Sequence, residues 1–273
     1  METLILILRW TVFLLYFLSF LFYIRYFQKQ TKSLARPASF LLLAGILLQT
    51  LVIVFQWRLE GHFPVLSVGE ASFTWMWLFG VLYFVLEIRL REQAFGIFIV
   101  GLMTTFVLIA NVFPLHHGPM PPYFQDDWVQ VHVLIMLFSY SGLTIGFIAS
   151  FMYLSLLKEL REKNLKYFYS RLPALELLDR LSLESIYIGF IFLTVGIFIA
   201  LSLASKYLTH VWYLDSKILS VFVTWLIYAM YLSVRWFLNW HPRKSAYISI
   251  VGFGWIVISF MIFSTFISSV HAY

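Results

Sequence analysis

The stretch DDWVQVHVLIMLFSYSGLTIGFIASFMYLSLLKELR, residues 126–161, decides the fold class of this chain. Between residues 128 and 157 it contains no Asp, Glu, Lys or Arg, and charged residues lie only at its two ends. A helix rises about 1.5 Å per residue, so about 20 apolar residues cross the roughly 30 Å hydrocarbon core of a bilayer. The stretch therefore predicts a membrane-spanning helix that continues past the bilayer into the cytoplasm.

Apolar runs of similar length lie on both sides of this stretch. Together with it, they predict eight spans at about 3–24, 38–57, 70–88, 95–113, 129–157, 183–204, 217–238 and 246–268. The composition agrees, since 62% of the residues are hydrophobic and 12% are charged, against about half and about a quarter in soluble domains. We therefore expect an all-α polytopic membrane helix bundle, with residues 1–273 forming a single transmembrane domain.

Basic residues set the predicted orientation of the spans. Fifteen Lys and Arg residues lie in the loops that follow odd-numbered spans, and three, Arg58, Lys206 and Lys217, lie in the other loops. Because cytoplasmic loops carry the excess of Lys and Arg, both chain ends are predicted on the outer side. The charge of +6 is spread over alternate loops, so we expect no binding of nucleic acid. Arg9 interrupts the first span, and we expect it to snorkel at the outer interface.

Histidines gather on the predicted outer side, where six of the seven lie. His132 opens the fifth span and His271 closes the eighth, so both lie near the hydrocarbon boundary, where a porphyrin has an apolar ring environment and aqueous propionates. Two imidazoles from different helices can ligate one haem iron axially. His132 and His271 are therefore candidate axial ligands of a haem. The alternative is that each histidine is an ordinary interfacial residue.

The segment KELREKNLKYFYSRLPALELLDRLS, residues 158–182, is the largest predicted cytoplasmic feature. Its basic, acidic and aromatic residues follow a helical spacing that Pro173 interrupts. One interpretation is a pair of amphipathic helices that lie on anionic membrane lipid. The other is a docking surface for a cytoplasmic protein.

Several segments resemble the cytochrome c assembly protein family, over about residues 63–273. HVLIMLFSYS (132–141) resembles the family's helix that begins with a histidine. LDRLSLESIYIGFIFLTVGI (178–197) and FVTWLIYAMYLSVRW (222–236) resemble the spans before and after its tryptophan-rich loop. RKSAYISIVGF (243–253) and the terminal VHAY resemble its last span.

This resemblance implies haem bound on the outer side between two histidines, beneath the tryptophan-rich loop. Those roles carry to His132 and His271 as axial ligands of a non-covalent haem b, with Trp212 and Asp215 as further cofactor-binding residues in the loop. The chain has no cysteine, so it cannot itself carry a covalently attached c-type haem.

The chain also departs from the pattern of the family's synthase members. Leu214, Ser216 and Ile218 replace residues of the tryptophan-rich motif, and Ser233 stands where the synthases have a histidine. These departures favour the family's HemX branch over its CcsA branch.

The favoured function is therefore a HemX-like membrane regulator of haem biosynthesis, which limits glutamyl-tRNA reductase levels and has no catalytic activity of its own. Its expected location is the bacterial cell membrane. Its expected partners are membrane lipid and, through residues 158–182, the reductase or another cytoplasmic protein. Two alternatives stay open, namely a haem-handling or export subunit of a cytochrome c synthase and a ligand-free structural membrane subunit.

Overall fold

The computed structural model describes residues 2–113, 122–163, 171–207, 216–238 and 241–266. Within these ranges the chain forms eight α-helices and one short 3₁₀ helix, with no β-strand. The α-helices are α1 (Glu2–Lys29), α2 (Lys32–Glu60), α3 (Val68–Leu90), α4 (Gly96–Val112), α5 (Asp127–Arg161), α6 (Leu175–Tyr207), α7 (Ser216–Trp236) and α8 (Pro242–Phe266). The 3₁₀ helix, Pro122–Gln125, immediately precedes α5.

Six of the described helices, α1 to α3 and α5 to α7, are long and apolar enough to cross a membrane. The apolar helix α4 has 17 residues, or about 25 Å, and α8 has 25 residues. Large apolar side chains such as Phe40 and Phe198 are 69% and 68% exposed, as expected for residues that face lipid. The prediction of an all-α, multi-pass membrane protein is confirmed.

The helices pack as two groups. In the amino-terminal bundle, α1 packs on α2 and α4, and α3 packs on α2 and α4. In the carboxy-terminal bundle, α5 packs on α6 and α8, while α7 packs on α6 and α8. Contacts between α3 and α5 join the two bundles, and the larger apolar core continues from α1–α4 into α5.

Local sequence explains how the helices begin and end on the predicted outer side. Gly61 ends α2 with a φ of 75°, a left-handed conformation that costs glycine little. Ser67 and Glu70 form a capping box that begins α3. Asp126 begins α5, since its carboxylate accepts a hydrogen bond from the Trp128 N–H at 3.0 Å.

Arg9 lies inside the amino-terminal bundle, with 1% of its surface exposed. Its Nη2 donates to the Ala110 carbonyl oxygen at 2.8 Å, and its Nε donates to Asn111 Oδ1 at 3.2 Å. Its guanidinium also lies 4.5 Å from the ring centroid of Phe73. The expectation that Arg9 snorkels is wrong, because the last turn of α4 offers carbonyl groups that lack helical partners and attract a cation.

Further hydrogen bonds between side chains hold the amino-terminal bundle together. The Tyr16 hydroxyl donates to Gln49 Oε1 at 2.6 Å, which joins α1 to α2. The Tyr23 hydroxyl donates to Glu87 Oε2 at 2.6 Å, and Ser39 donates to the other carboxylate oxygen, which joins α1 and α2 to α3. These buried polar groups thus find partners on neighbouring helices.

Candidate functional site

His132 lies in the second turn of α5, partly buried against α6. Its Nδ1 is 3.0 Å from the carbonyl oxygen of Gly196. Because a carbonyl oxygen only accepts hydrogen bonds, Nδ1 of the neutral ring carries the proton and Nε2 carries the lone pair. Histidines that ligate metals are commonly oriented by such a hydrogen bond from the other ring nitrogen. His132 therefore has the tautomer and the orientation that a ligand through Nε2 requires.

A seam of glycines brings α5 and α6 close enough for this hydrogen bond. A Cβ at Gly142 would lie 2.7 Å from the Ser185 carbonyl oxygen and 2.8 Å from the Gly189 Cα. A Cβ at Gly189 would lie 2.9 Å from the backbone nitrogen of Leu143. Only glycine fits at these positions, so the two helix backbones are in direct contact, as in small-residue packing of membrane helices.

The seam continues outward from the middle of α5 to His132. Ser139 donates to the Gly189 carbonyl oxygen at 2.8 Å, and His132 makes the equivalent contact to Gly196, two turns nearer the predicted outer side. A Cβ at Gly196 would lie 2.6 Å from Met136 Sδ. The close approach that packs the helices therefore also positions the imidazole ring.

Other contacts fix the amino-terminal end of α5 to its surroundings. Gln130 Oε1 accepts from the Phe63 N–H at 3.0 Å, and Gln130 Nε2 donates to the Phe124 carbonyl oxygen at 3.1 Å. Lys206 Nζ, at the end of α6, lies 2.8 Å from Asp126 Oδ2. These bonds tie the loop after α2, the 3₁₀ helix and α6 to the two turns that carry His132.

The helix α8 leads toward the level of His132. Phe147 of α5 and Phe253 of α8 stack with ring centroids 4.2 Å apart. Since the two helices run in opposite directions with the same rise per residue, residue 266 of α8 lies at about the level of residue 134. His271, Trp212 and Asp215 lie outside the described residues. The structure therefore shows the position of His132, and the cofactor-binding roles of all four residues stay predictions.

Two residues that shape this site were not predicted from the sequence. Gly196 supplies the carbonyl oxygen for His132, and Gln130 joins α5 to a loop 67 residues away along the chain. The motif GLTIG, residues 142–146, was an available signal, because small residues four apart are typical of close helix packing in membranes. Nothing in the local sequence indicates the partners of Gln130.

The fold and the site define the class of this protein, a multi-pass helical membrane protein that presents a pre-oriented histidine near one membrane boundary. A family model described as "Cytochrome C assembly protein" matches residues 65–271. The chain belongs to the cytochrome c assembly protein family.

Several relatives share one name, cytochrome c biogenesis protein CcsA. The relative from Chlamydomonas reinhardtii is 31% identical over 235 residues, which cover 81% of this chain and 64% of the relative. The relative from Guillardia theta is 28% identical, over 82% of this chain and 81% of the relative. The relative from Prochlorococcus marinus (strain MIT 9312) is 29% identical, over 79% of this chain and 77% of the relative. The chain thus spans just under two thirds of the first relative.

These relatives correct the predicted function. A HemX-like regulator that limits glutamyl-tRNA reductase is the wrong prediction, and the HemX branch is not supported, because the relatives are named for cytochrome c biogenesis. The prediction depended in part on Ser233, which is exposed on α7, whereas Tyr228 and Tyr231 are buried. Because this position faces away from the bundle, a serine in place of the histidine leaves the packing inside the bundle unchanged. Binding of lipid or of a cytoplasmic protein through residues 158–182 stays a prediction.

Proposed function

We propose that this chain is the haem-handling membrane subunit of a cytochrome c synthase in the bacterial cell membrane. The observation that carries the proposal is the hydrogen bond from His132 to Gly196, which leaves Nε2 with the lone pair for an axial ligand. Membership of the cytochrome c assembly protein family supports haem as the cargo. The names of the relatives support a role in cytochrome c biogenesis.

The proposed haem b lies on the outer side between His132 and His271. Two neutral imidazoles would occupy both axial positions and hold the haem without a covalent bond. The direction of α8 supports this pairing, since its described part reaches the level of residue 134, about half a helical turn from His132. We assign Trp212 and Asp215 to the loop that covers the bound haem.

The chain's part in the reaction is to hold the haem rather than to supply a nucleophile. A thioether forms when a cysteine S–H of the apocytochrome adds across a haem vinyl group. This chain has no cysteine, so both thiols come from the apocytochrome. The residues proposed here orient the haem for that addition, and no catalytic residue is assigned.

Reconstitution of cytochrome c maturation tests this proposal. The full chain would be expressed with the synthase's other membrane subunit and an apocytochrome with a C-X-X-C-H motif, in a host that lacks its own maturation system. Covalent haem on the apocytochrome is then measured by haem staining after denaturing electrophoresis. We expect holocytochrome with the wild-type chain, and a loss of about tenfold or more with His132→Ala.

The matched control is His241→Ala, since His241 lies at the predicted cytoplasmic start of α8 and is exposed. Its yield should equal that of the wild type. Undiminished holocytochrome with His132→Ala, at equal protein level in the membrane, would contradict the proposal.

A further inference from the structure

A second polar site lies at the opposite end of the molecule, on the predicted cytoplasmic side of the amino-terminal bundle. A groove with a volume of about 310 Å³ opens between the beginning of α2 and the end of α3. Arg36 and Ser39 of α2 line it, together with Glu87, Ile88 and Arg91 at the end of α3. Its volume lies at the lower end of the range for small-molecule sites, which suits a compact polar group.

Glu87 is the buried acidic residue of this groove, with 3% of its surface exposed. Its carboxylate accepts hydrogen bonds from Tyr23 and Ser39. Within the described part of the chain, no Lys or Arg forms an ion pair with it. A carboxylate has about four acceptor positions and is costly to bury without a cation. Glu87 can therefore accept N–H groups from a cationic ligand.

Arg36 and Arg91 are exposed at the rim of the groove. Two guanidinium groups and the carboxyl group of Glu87 thus line the groove. Groups of both signs in one groove favour a zwitterion, whereas arginine pairs without a carboxylate favour a simple anion.

The flank of the groove is apolar and faces lipid. Ile88 on α3 is 61% exposed, and Phe40, next to Ser39 on α2, is 69% exposed. The many basic residues of the neighbouring loops place the groove near the cytoplasmic head groups. A ligand with apolar tails and a zwitterionic head can therefore reach the groove from within the bilayer.

We propose that this groove binds the head group of phosphatidylethanolamine. The phosphate lies between Arg36 and Arg91, and the ammonium group donates to Glu87. Phosphatidylcholine lacks an ammonium N–H, and phosphatidylglycerol lacks the cation altogether, so neither satisfies both ends of the groove. This lipid site goes beyond the proposed haem function and does not depend on it.

Lipid titration of the full-length protein in detergent tests the proposal. Phosphatidylethanolamine, phosphatidylcholine and phosphatidylglycerol with identical acyl chains would be compared by native mass spectrometry. We expect wild type to bind phosphatidylethanolamine about tenfold more tightly than either other lipid, since one charged hydrogen bond is worth about that factor. Arg36→Gln and Arg91→Gln should weaken that binding, and Glu87→Gln should abolish the preference over phosphatidylcholine.

Arg89→Gln is the matched control, because Arg89 lies in the last turn of the same helix, but its Nε pairs with Glu184 Oε2 at 3.3 Å. This variant should bind lipid as the wild type does. Equal affinity for all three lipids, a preference for phosphatidylglycerol, or an equal loss in Arg89→Gln would overturn the proposal. Arg36 and Arg91 are exposed, so their variants decide the question even if Glu87→Gln fails to fold.

Discussion

The two bundles of this protein are held together by different means. In the amino-terminal bundle, long buried side chains such as Arg9, Tyr16 and Tyr23 reach across to neighbouring helices. In the carboxy-terminal bundle, α5 and α6 touch through their backbones at Gly142 and Gly189. Long side chains can adjust to a small helix shift, whereas backbone contact leaves no such freedom.

This difference explains where the candidate site lies. A ligand to iron needs a fixed ring orientation, and His132 receives it from a backbone carbonyl on the more closely packed helix. The amino-terminal bundle contributes buried polar contacts and supports the outer end of α5 through Gln130. Changes to the glycine seam should therefore disturb haem binding, while changes to the polar network should mainly reduce stability.

The largest expected effect comes from Gly142→Val. Its side chain would collide with backbone atoms of α6 at 2.7 and 2.8 Å, which cannot move alone. We expect a loss of about 3 kcal/mol or more in the free energy of unfolding, together with loss of haem uptake. Thermal unfolding in detergent, followed by tryptophan fluorescence, measures the first effect. Gly254→Ala is the control, because nothing lies within 4 Å of its added Cβ, and near wild-type stability is expected.

Replacing Arg9 by Met should destabilise the amino-terminal bundle and spare the site. The change removes the hydrogen bonds to Ala110 and Asn111 and leaves a buried carbonyl group unpaired. We expect a loss of about 2 kcal/mol in stability, with unchanged haem affinity per folded molecule. Thr11→Val is the control on the exposed side of α1, with an expected change within about 0.5 kcal/mol. A loss of haem affinity in Arg9→Met would contradict the proposal that the carboxy-terminal bundle positions the haem ligand while the amino-terminal bundle contributes stability.

Gly196→Ala should have the reverse effect of Arg9→Met, with a small loss of stability and a clear loss of haem affinity. Its Cβ would meet Met136 Sδ at 2.6 Å, a flexible side chain that can move, so the expected loss of stability is about 1 kcal/mol. The same adjustment lengthens the contact from His132 to Gly196, so haem affinity should fall about tenfold. Haem titration followed by absorbance measures this loss. Adding Met136→Ala should restore part of it by making room, and no change in affinity in the single variant would count against the seam as the positioning element.

The smallest expected effect is that of Lys206→Met. Its ion pair with Asp126 joins the outer ends of α6 and α5, but the Lys206 side chain is 61% exposed. Exposed ion pairs contribute little, so the expected loss of stability is about 0.5 kcal/mol or less. Asp126→Ala should cost about 1 kcal/mol, because it also removes the cap of the Trp128 N–H. Equal losses in both variants would mean that the cap contributes nothing.

The sequence predicts the helical architecture well because each span is long enough to carry its own hydropathy signal. The run around His132 predicts α5, and the position of His132 near the amino-terminal end of that helix follows directly. The burial of Arg9 did not follow, because its partners Ala110 and Asn111 lie about a hundred residues away. The role of the Gly196 carbonyl group could not be predicted either. Every residue has a backbone carbonyl group, so the sequence does not mark the one that accepts a hydrogen bond.

The most direct test of the haem assignment is the absorption spectrum of the full chain purified in detergent, with added haem, in oxidised and reduced forms. Wild type would be compared with His132→Ala, His271→Ala and the control His241→Ala. We predict a six-coordinate haem spectrum for wild type and His241→Ala, and loss or conversion of that spectrum in both other variants. A wild-type protein that takes up no haem, or spectra that stay unchanged in His132→Ala and His271→Ala, would contradict the account.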